Sequence, residues 1–276
     1  MKNKLLPIII ASALPFAAST DVFARSSTGG DFNSTIRMSA VIQQMVGIGN
    51  KHKIKVSSVS RSRVGGDVNV HTRIGALMQN SVGIDNTNAV RLSSVDRSRV
   101  GGDVLAYSRV SSLIQSSVGI NNKNRANISS VSRSRVGGDA TSYTVTGAIG
   151  QNNVGIGNEN RLNLGAVSRS RIGGDYKNYT RISSILQSNT GIGNQNELNV
   201  GSVSHSRVGG NVTTNNRVGA LVQSNVGIGN SNVANIGSVV DSKVGGDVSM
   251  TTKVSSLQQS NTGINNSNDL SVGSVD

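Results

Sequence analysis

Arginine, aspartate and paired glycines recur in fixed order as SRSRVGGDV at 60–68, DRSRVGGDV at 96–104 and SRSRVGGDA at 132–140. Guanidinium and carboxylate groups set four residues apart across a Gly-Gly bend are the ingredients of an ion pair. Arg63, Arg99, Arg135, Arg171, Arg207 and Lys243 precede Asp67, Asp103, Asp139, Asp175, Asn211 and Asp247 in this way. The spacing predicts that each Asp meets an Arg and that the pairs fix register more than they stabilise, since exposed pairs contribute only about 0–1 kcal/mol. Gly-Asp turns also occur in calcium loops. Those need a denser run of Gly and Asp than one Asp in 36 residues, so no metal site is expected.

Amides form a second recurring set. Asn50, Asn86, Asn122, Asn158, Asn194, Asn230 and Asn266 repeat in the pattern Gly-Ile-x-Asn or close variants of it. A second Asn follows two residues later in every copy except the first, where His52 stands. Identical amides stacked along an axis would bond to the copies above and below, and bend chemistry is the other use of Asn. Gln43, Gln79, Gln115, Gln151, Gln187, Gln223 and Gln259 form a third set. These Asn and Gln rows are the candidate self-assembly ladders. Catalysis is not expected. His52, His71 and His205 occupy different places in the pattern, and no Cys is available as a nucleophile or metal ligand. No catalytic, cofactor-binding or metal-binding residue is therefore assigned.

These residues must be positioned by the repeat itself. Gly65-Gly66-Asp67 and its equivalents return every 36 residues, and so does the Gly-Ile-x-Asn signature that begins at Gly83. The signatures lie 18 apart, so VGGDVNVHTRIGALMQNS (64–81) can be aligned with VGIDNTNAVRLSSVDRSR (82–99), numbering positions 1 to 18 in each half. Position 2 is always Gly. Position 14 is always Val, Leu or Ile, and position 11 is apolar except at Thr146. Positions 12 and 13 are always small and mark a bend. Apolar residues at positions 1, 3, 9 and 11 of the Gly-Ile-x-Asn half, such as Val82, Ile84, Val90 and Leu92, have the two-residue rhythm of a strand. No helical rhythm is present.

The expected fold is therefore an all-β β-solenoid of about fourteen 18-residue coils, arranged as seven 36-residue tandem repeats. Coils stacked at about 4.8 Å would give a rod about 65 Å long. Positions 11 and 14 would form one dry seam, each side chain worth roughly 1.5–3 kcal/mol. A flattened two-sheet coil fits the pattern best, ahead of a triangular left-handed one. A position 16 that alternates Gln with Arg predicts a shallow site for both. Position 8 should face outward, making Tyr107, Tyr143 and Tyr179 a surface stripe or a platform for sugars or bases.

Composition limits the rest. Aromatic residues are 3%, Trp and Cys are absent, and the net charge is +13. Any core must be thin and built from small aliphatics. Residues 1–24 read as a signal peptide. Lys2 and Lys4 precede the apolar stretch LLPIIIASALPFAA, and small residues end at Ala24. Residues 25–276 then form a single repeat domain, secreted to the extracellular space or cell surface, without stable membrane insertion. Arg37, Arg73, Arg109, Arg181 and Arg217 at position 10 should face solvent as a row of cations. That row is a candidate contact for anionic polysaccharide or extracellular DNA.

The segments QSSVGINNKNRA (115–126) and QSNVGIGNSNVA (223–234) resemble curlin-type repeats of bacterial functional amyloids. The likeness is Gly-x-x-Asn-x-Asn preceded by Gln, and it covers every 36-residue unit. Gln stands four residues before Gly, farther than in curlin repeats, and the Arg-rich half departs from the pattern. The resemblance implies a fibre subunit of biofilm matrix that polymerises with itself and is assisted by nucleator or export partners. The expected function is thus a secreted structural subunit of curli-like fibres that aids adhesion. The alternative is a monomeric surface adhesin or an ice-binding solenoid using Thr72, Thr144, Thr180 and Thr252 at position 9.

Overall fold

A computed structural model describes residues 27–275. The expected signal peptide at 1–24 lies outside the described residues.

The chain winds as a β-solenoid in which every strand pairs in parallel with its equivalent 36 residues away. Each turn contributes a 17-residue strand such as Val68–Ile84 and a six-residue strand such as Thr87–Leu92. Two two-residue corner strands follow, such as Val95–Asp96 and Arg99–Val100. Stacking gives three seven-stranded sheets and one six-stranded sheet. The seven 36-residue repeats are thus seven turns. The 18-residue halves do not stack on each other as separate coils, and at about 4.8 Å per turn the stack is about 34 Å long, half the expected length. The reason is the contrast between the halves. Stacking them would set the Gln of one half on the Arg of the other, whereas at 36 residues each amide meets an identical amide.

The coil is flattened, with the long sheet facing the other three. Its interior alternates dry and polar layers. One apolar core joins Ile74 and Leu77 of the long strand to Val90 and Leu92 of the short one. A second joins Val68 and Val70 to the corner residues Val95 and Val100. The single seam expected from positions 11 and 14 is therefore two. Position 11 and the first-half position 14 serve one core, while the second-half position 14 serves the other. The bend at positions 12 and 13 explains how Ile74 and Leu77, three residues apart, both point inward.

A polar waist separates the cores. Thr72 and Ser93 meet across it at 2.6 Å, and Ser108 and Ser129 at 2.8 Å. Position 9 is therefore buried and presents no threonine array to ice. Where Gly165 and Gly201 replace the corner serine, larger amides fill the waist. A Cβ on Gly201 would fall 2.2 Å from Asn178 Nδ2, and Asn178 bonds Asn216 at 2.8 Å. The same exchange admits the buried Tyr176. Its neighbour in the stack is Ala140, and its hydroxyl donates to the Gly165 carbonyl. Burial pushes the Tyr176 phenol well above its usual range.

Val82 and Ile84 do not continue the inward rhythm. The bend at Gly75 and Ala76 moves the inward positions to Leu77, Gln79 and Ser81, so Val82 and Ile84 fall on the outward side, and the Ile84 row is exposed from Ile48 to Ile264.

Thr146 interrupts the aliphatic row between Val110 and Ile182. It is buried and its Oγ1 has no hydrogen-bond partner. Thr146→Val should therefore stabilise the fold by about 1 kcal/mol. An unchanged or lowered denaturation midpoint would contradict the assignment of this site as apolar.

Candidate functional site

The amide rows lie at the end of the coil where the long strand gives way to the short one. Each Gln on the long strand donates from Nε2 to the preceding turn's Oε1, from Gln79 to Gln43 at 2.8 Å through Gln259 to Gln223 at 2.7 Å. Gln79, Gln115, Gln187 and Gln223 are fully buried, not shallow as the Gln/Arg alternation suggested. They stack on each other, so every amide between the two ends of the row has both a donor and an acceptor neighbour. The row two residues beyond Asn86 is a second continuous ladder. Asn88 Nδ2 donates to Asn124 Oδ1 at 3.0 Å, and the pattern continues to Asn268. His52 begins this row, and burial lowers its pKa.

The row from Asn50 to Asn266 serves the bend and is not the expected ladder of side chain to side chain. Asn86 Nδ2 donates to Val82 O of its own bend and to Gly47 O of the preceding turn. Its Oδ1 accepts from the backbone N–H of Asn50. The side chains do not bond one another. Each clamps its own bend and ties it to the preceding one.

The Gly-Gly-Asp carboxylates act similarly. Asp67 Oδ1 accepts from the Asp103 N–H at 2.8 Å, and Asp103 Oδ1 from that of Asp139. Among the described residues they do not pair with Arg63, Arg99, Arg135, Arg171, Arg207 or Lys243. The two residue types lie four apart in sequence, but the carboxylate is turned along the stack to serve the backbone.

That leaves the arginines unclaimed. Arg61, Arg97, Arg133 and Arg169 occupy a corner with φ near +50°, followed in the same row by His205 and Asp241. Arg63, Arg99, Arg135, Arg171, Arg207 and Lys243 form a parallel row two residues on. Between them runs a serine row whose hydroxyls are committed to the backbone. Ser98 Oγ donates to Asp96 O at 2.8 Å and accepts from Ser62 N at 3.1 Å. The two rows and this fixed floor make a straight groove of about 1350 Å³ along the stack. The rows' field reaches Arg91. Burial lowers the Arg91 pKa most, Asp96 at 3.0 Å raises it, and Arg97, Arg61 and Arg133 lower it further.

No family model, curated protein or solved structure matches this chain.

The remaining surface candidates face solvent as expected but are less concentrated. Tyr143 and Tyr179 stack at 4.9 Å on the long sheet, and His71 stacks on Tyr107. The position-10 row is exposed and is interrupted by Val145. The double row was hidden in the sequence because Arg at position 18 has an obvious carboxylate partner four residues away. Its signal is the alternation Arg-Ser-Arg, repeated at the stacking period.

Proposed function

We propose that this chain is a secreted structural subunit that polymerises end to end, by adding turns, into an extracellular amyloid-like fibre of the curlin type. The observation that carries this reading is the last described turn. Leu257 is 48% exposed and Val248 36%, whereas Leu221 and Val212, their equivalents one turn earlier, are both 0%. This turn keeps the aliphatic and amide positions of the turns beneath it. Its long strand leaves backbone groups that template a further parallel strand. The Gln row is complementary at its two ends. Gln43 Nε2 is buried without an acceptor, and Gln259 Oε1 accepts no hydrogen bond among the described residues. A second molecule stacked in register would supply both. The signal-like segment supports export, and the resemblance to curlin-type repeats supports a biofilm or cell-surface setting with nucleator or export partners.

The test uses residues 25–276 and the variant Leu257→Asp, which charges the open end while leaving the filled cores intact. Wild-type protein should bind thioflavin and give fibres with a reflection near 4.8 Å along the axis. The variant should retain its β circular dichroism and fail to elongate. Wild-type protein that stays a folded monomer for days at high concentration would overturn the proposal and favour a monomeric adhesin. Elongation of the variant at the wild-type rate would refute this end as the growth face.

A further inference from the structure

The double arginine row raises a question that fibre formation does not answer. Like charges repeated at strand spacing repel, and two such rows lie side by side. At about 4.8 Å the repulsion is on the order of 1 kcal/mol per neighbouring pair even in water. Ten cations line the groove (nine Arg and Lys243) against one carboxylate, Asp241, which faces His205 at 3.4 Å. None of the ten guanidinium or ammonium groups donates to a protein acceptor among the described residues. The floor serines are already bonded, so the groove's free donors are cationic. Such a site fits a ligand that carries a regular series of anions.

We propose that this groove binds a linear acidic polysaccharide, a chain of uronate sugars whose carboxylates lie between the Arg61–Arg169 row and the Arg63–Arg207 row. Three features favour a polyuronate over nucleic acid. The groove is straight, whereas the phosphates of a duplex follow a helical path. Its lining contains no Phe, Tyr or Trp, so unpaired bases find no stacking platform. Its cations repeat at about 4.8 Å along each row, wider than the 3.4 Å rise per phosphate along one strand of B-DNA. A planar carboxylate also matches the two-pronged guanidinium better than it matches lysine. His205 and Asp241 weaken one row toward the C-terminal end, so occupancy should be strongest over the turns that contain Arg61 to Arg171. The site is complete within one molecule and does not depend on polymerisation.

The test measures binding of polygalacturonate to freshly purified monomer by fluorescence anisotropy. Three proteins are compared: wild type, Arg97→Gln/Arg133→Gln/Arg135→Gln in the groove, and Arg73→Gln/Arg109→Gln/Arg181→Gln on the long sheet. Groove substitution should weaken binding about tenfold or more, with little loss from the sheet variant. Binding should fall as salt rises, and a neutral galactan should not bind. A second readout needs no variant. Polygalacturonate should protect Arg97, Arg99, Arg133 and Arg135 from phenylglyoxal while Arg73 and Arg109 remain reactive. Equal binding by the groove variant, or equal reactivity of both sets of arginines, would overturn the proposal. Tighter, groove-dependent binding of single-stranded or duplex DNA would also overturn it and assign the groove to nucleic acid.

Discussion

Leu113→Asp is expected to leave no folded solenoid. Leu113 is fully buried and stacks between Leu77 and Ile149 in the core shared by the long and short sheets. The substitution removes a buried aliphatic worth roughly 1.5–3 kcal/mol and adds a carboxylate with no nearby cation in that row. The combined cost of about 5 kcal/mol or more is comparable with the whole stability of an ordinary domain. Because each turn is held by the turns above and below, a fault in the third of the seven turns also weakens its neighbours. The expected readings are loss of the β circular dichroism signal and an expanded elution volume profile. Ser111→Asp, two residues away on the exposed side of the bend, should change stability by less than about 0.5 kcal/mol. A folded, cooperative Leu113→Asp protein would contradict the core assignment.

Gly155→Ala should be nearly as damaging, although it adds only one methyl group. Gly155 has φ +119°, a region that residues with a Cβ rarely adopt. A Cβ there would sit 2.1 Å from the Gly119 carbonyl oxygen of the adjacent turn. The obstacle is backbone, which cannot swing aside without breaking the parallel ladder. A loss of about 3 kcal/mol or more is expected in denaturant titration. Gly150→Ala provides the contrast within the same strand. A Cβ at Gly150 meets nothing within 4 Å, and its backbone is ordinary strand. That substitution should be neutral or stabilise by up to about 1 kcal/mol. Similar midpoints for the two variants would show that the turn-to-turn spacing at Gly155 is looser than described.

Much of this fold is legible from residue types alone. The strict period places Leu113, Leu77 and Ile149 in one row, and the two-residue rhythm makes the elements strands. Invariant Gly and small residues at positions 12 and 13 mark where the chain must bend. The Gln row and the Asn88–Asn268 row can be read as ladders because stacked identical amides satisfy one another, whereas the Asn50–Asn266 row bonds the backbone of its bends instead.

What sequence alone left undecided is which half lies over which. Two halves of 18 residues with Gly, apolar and small residues at matching places are compatible with either an 18- or a 36-residue turn. The choice depends on long-range satisfaction of buried groups. Gln115 exchanges its side-chain amide bonds with Gln79 and Gln151, so 36 residues separate stacked equivalents. The facing of Ile84 likewise depends on the bend at Gly75 and Ala76, which shifts the inward side from Ile74 to Leu77, a shift that a simple two-residue periodicity does not register. The same closure brings Arg61 and Arg63 into two continuous rows while turning Asp67 toward the backbone of the next turn. Sequence determined that this chain is a stack of identical β units. The tertiary structure decided the stacking period, because a buried polar group must find its partner in space, and with that period it set which charges remained free.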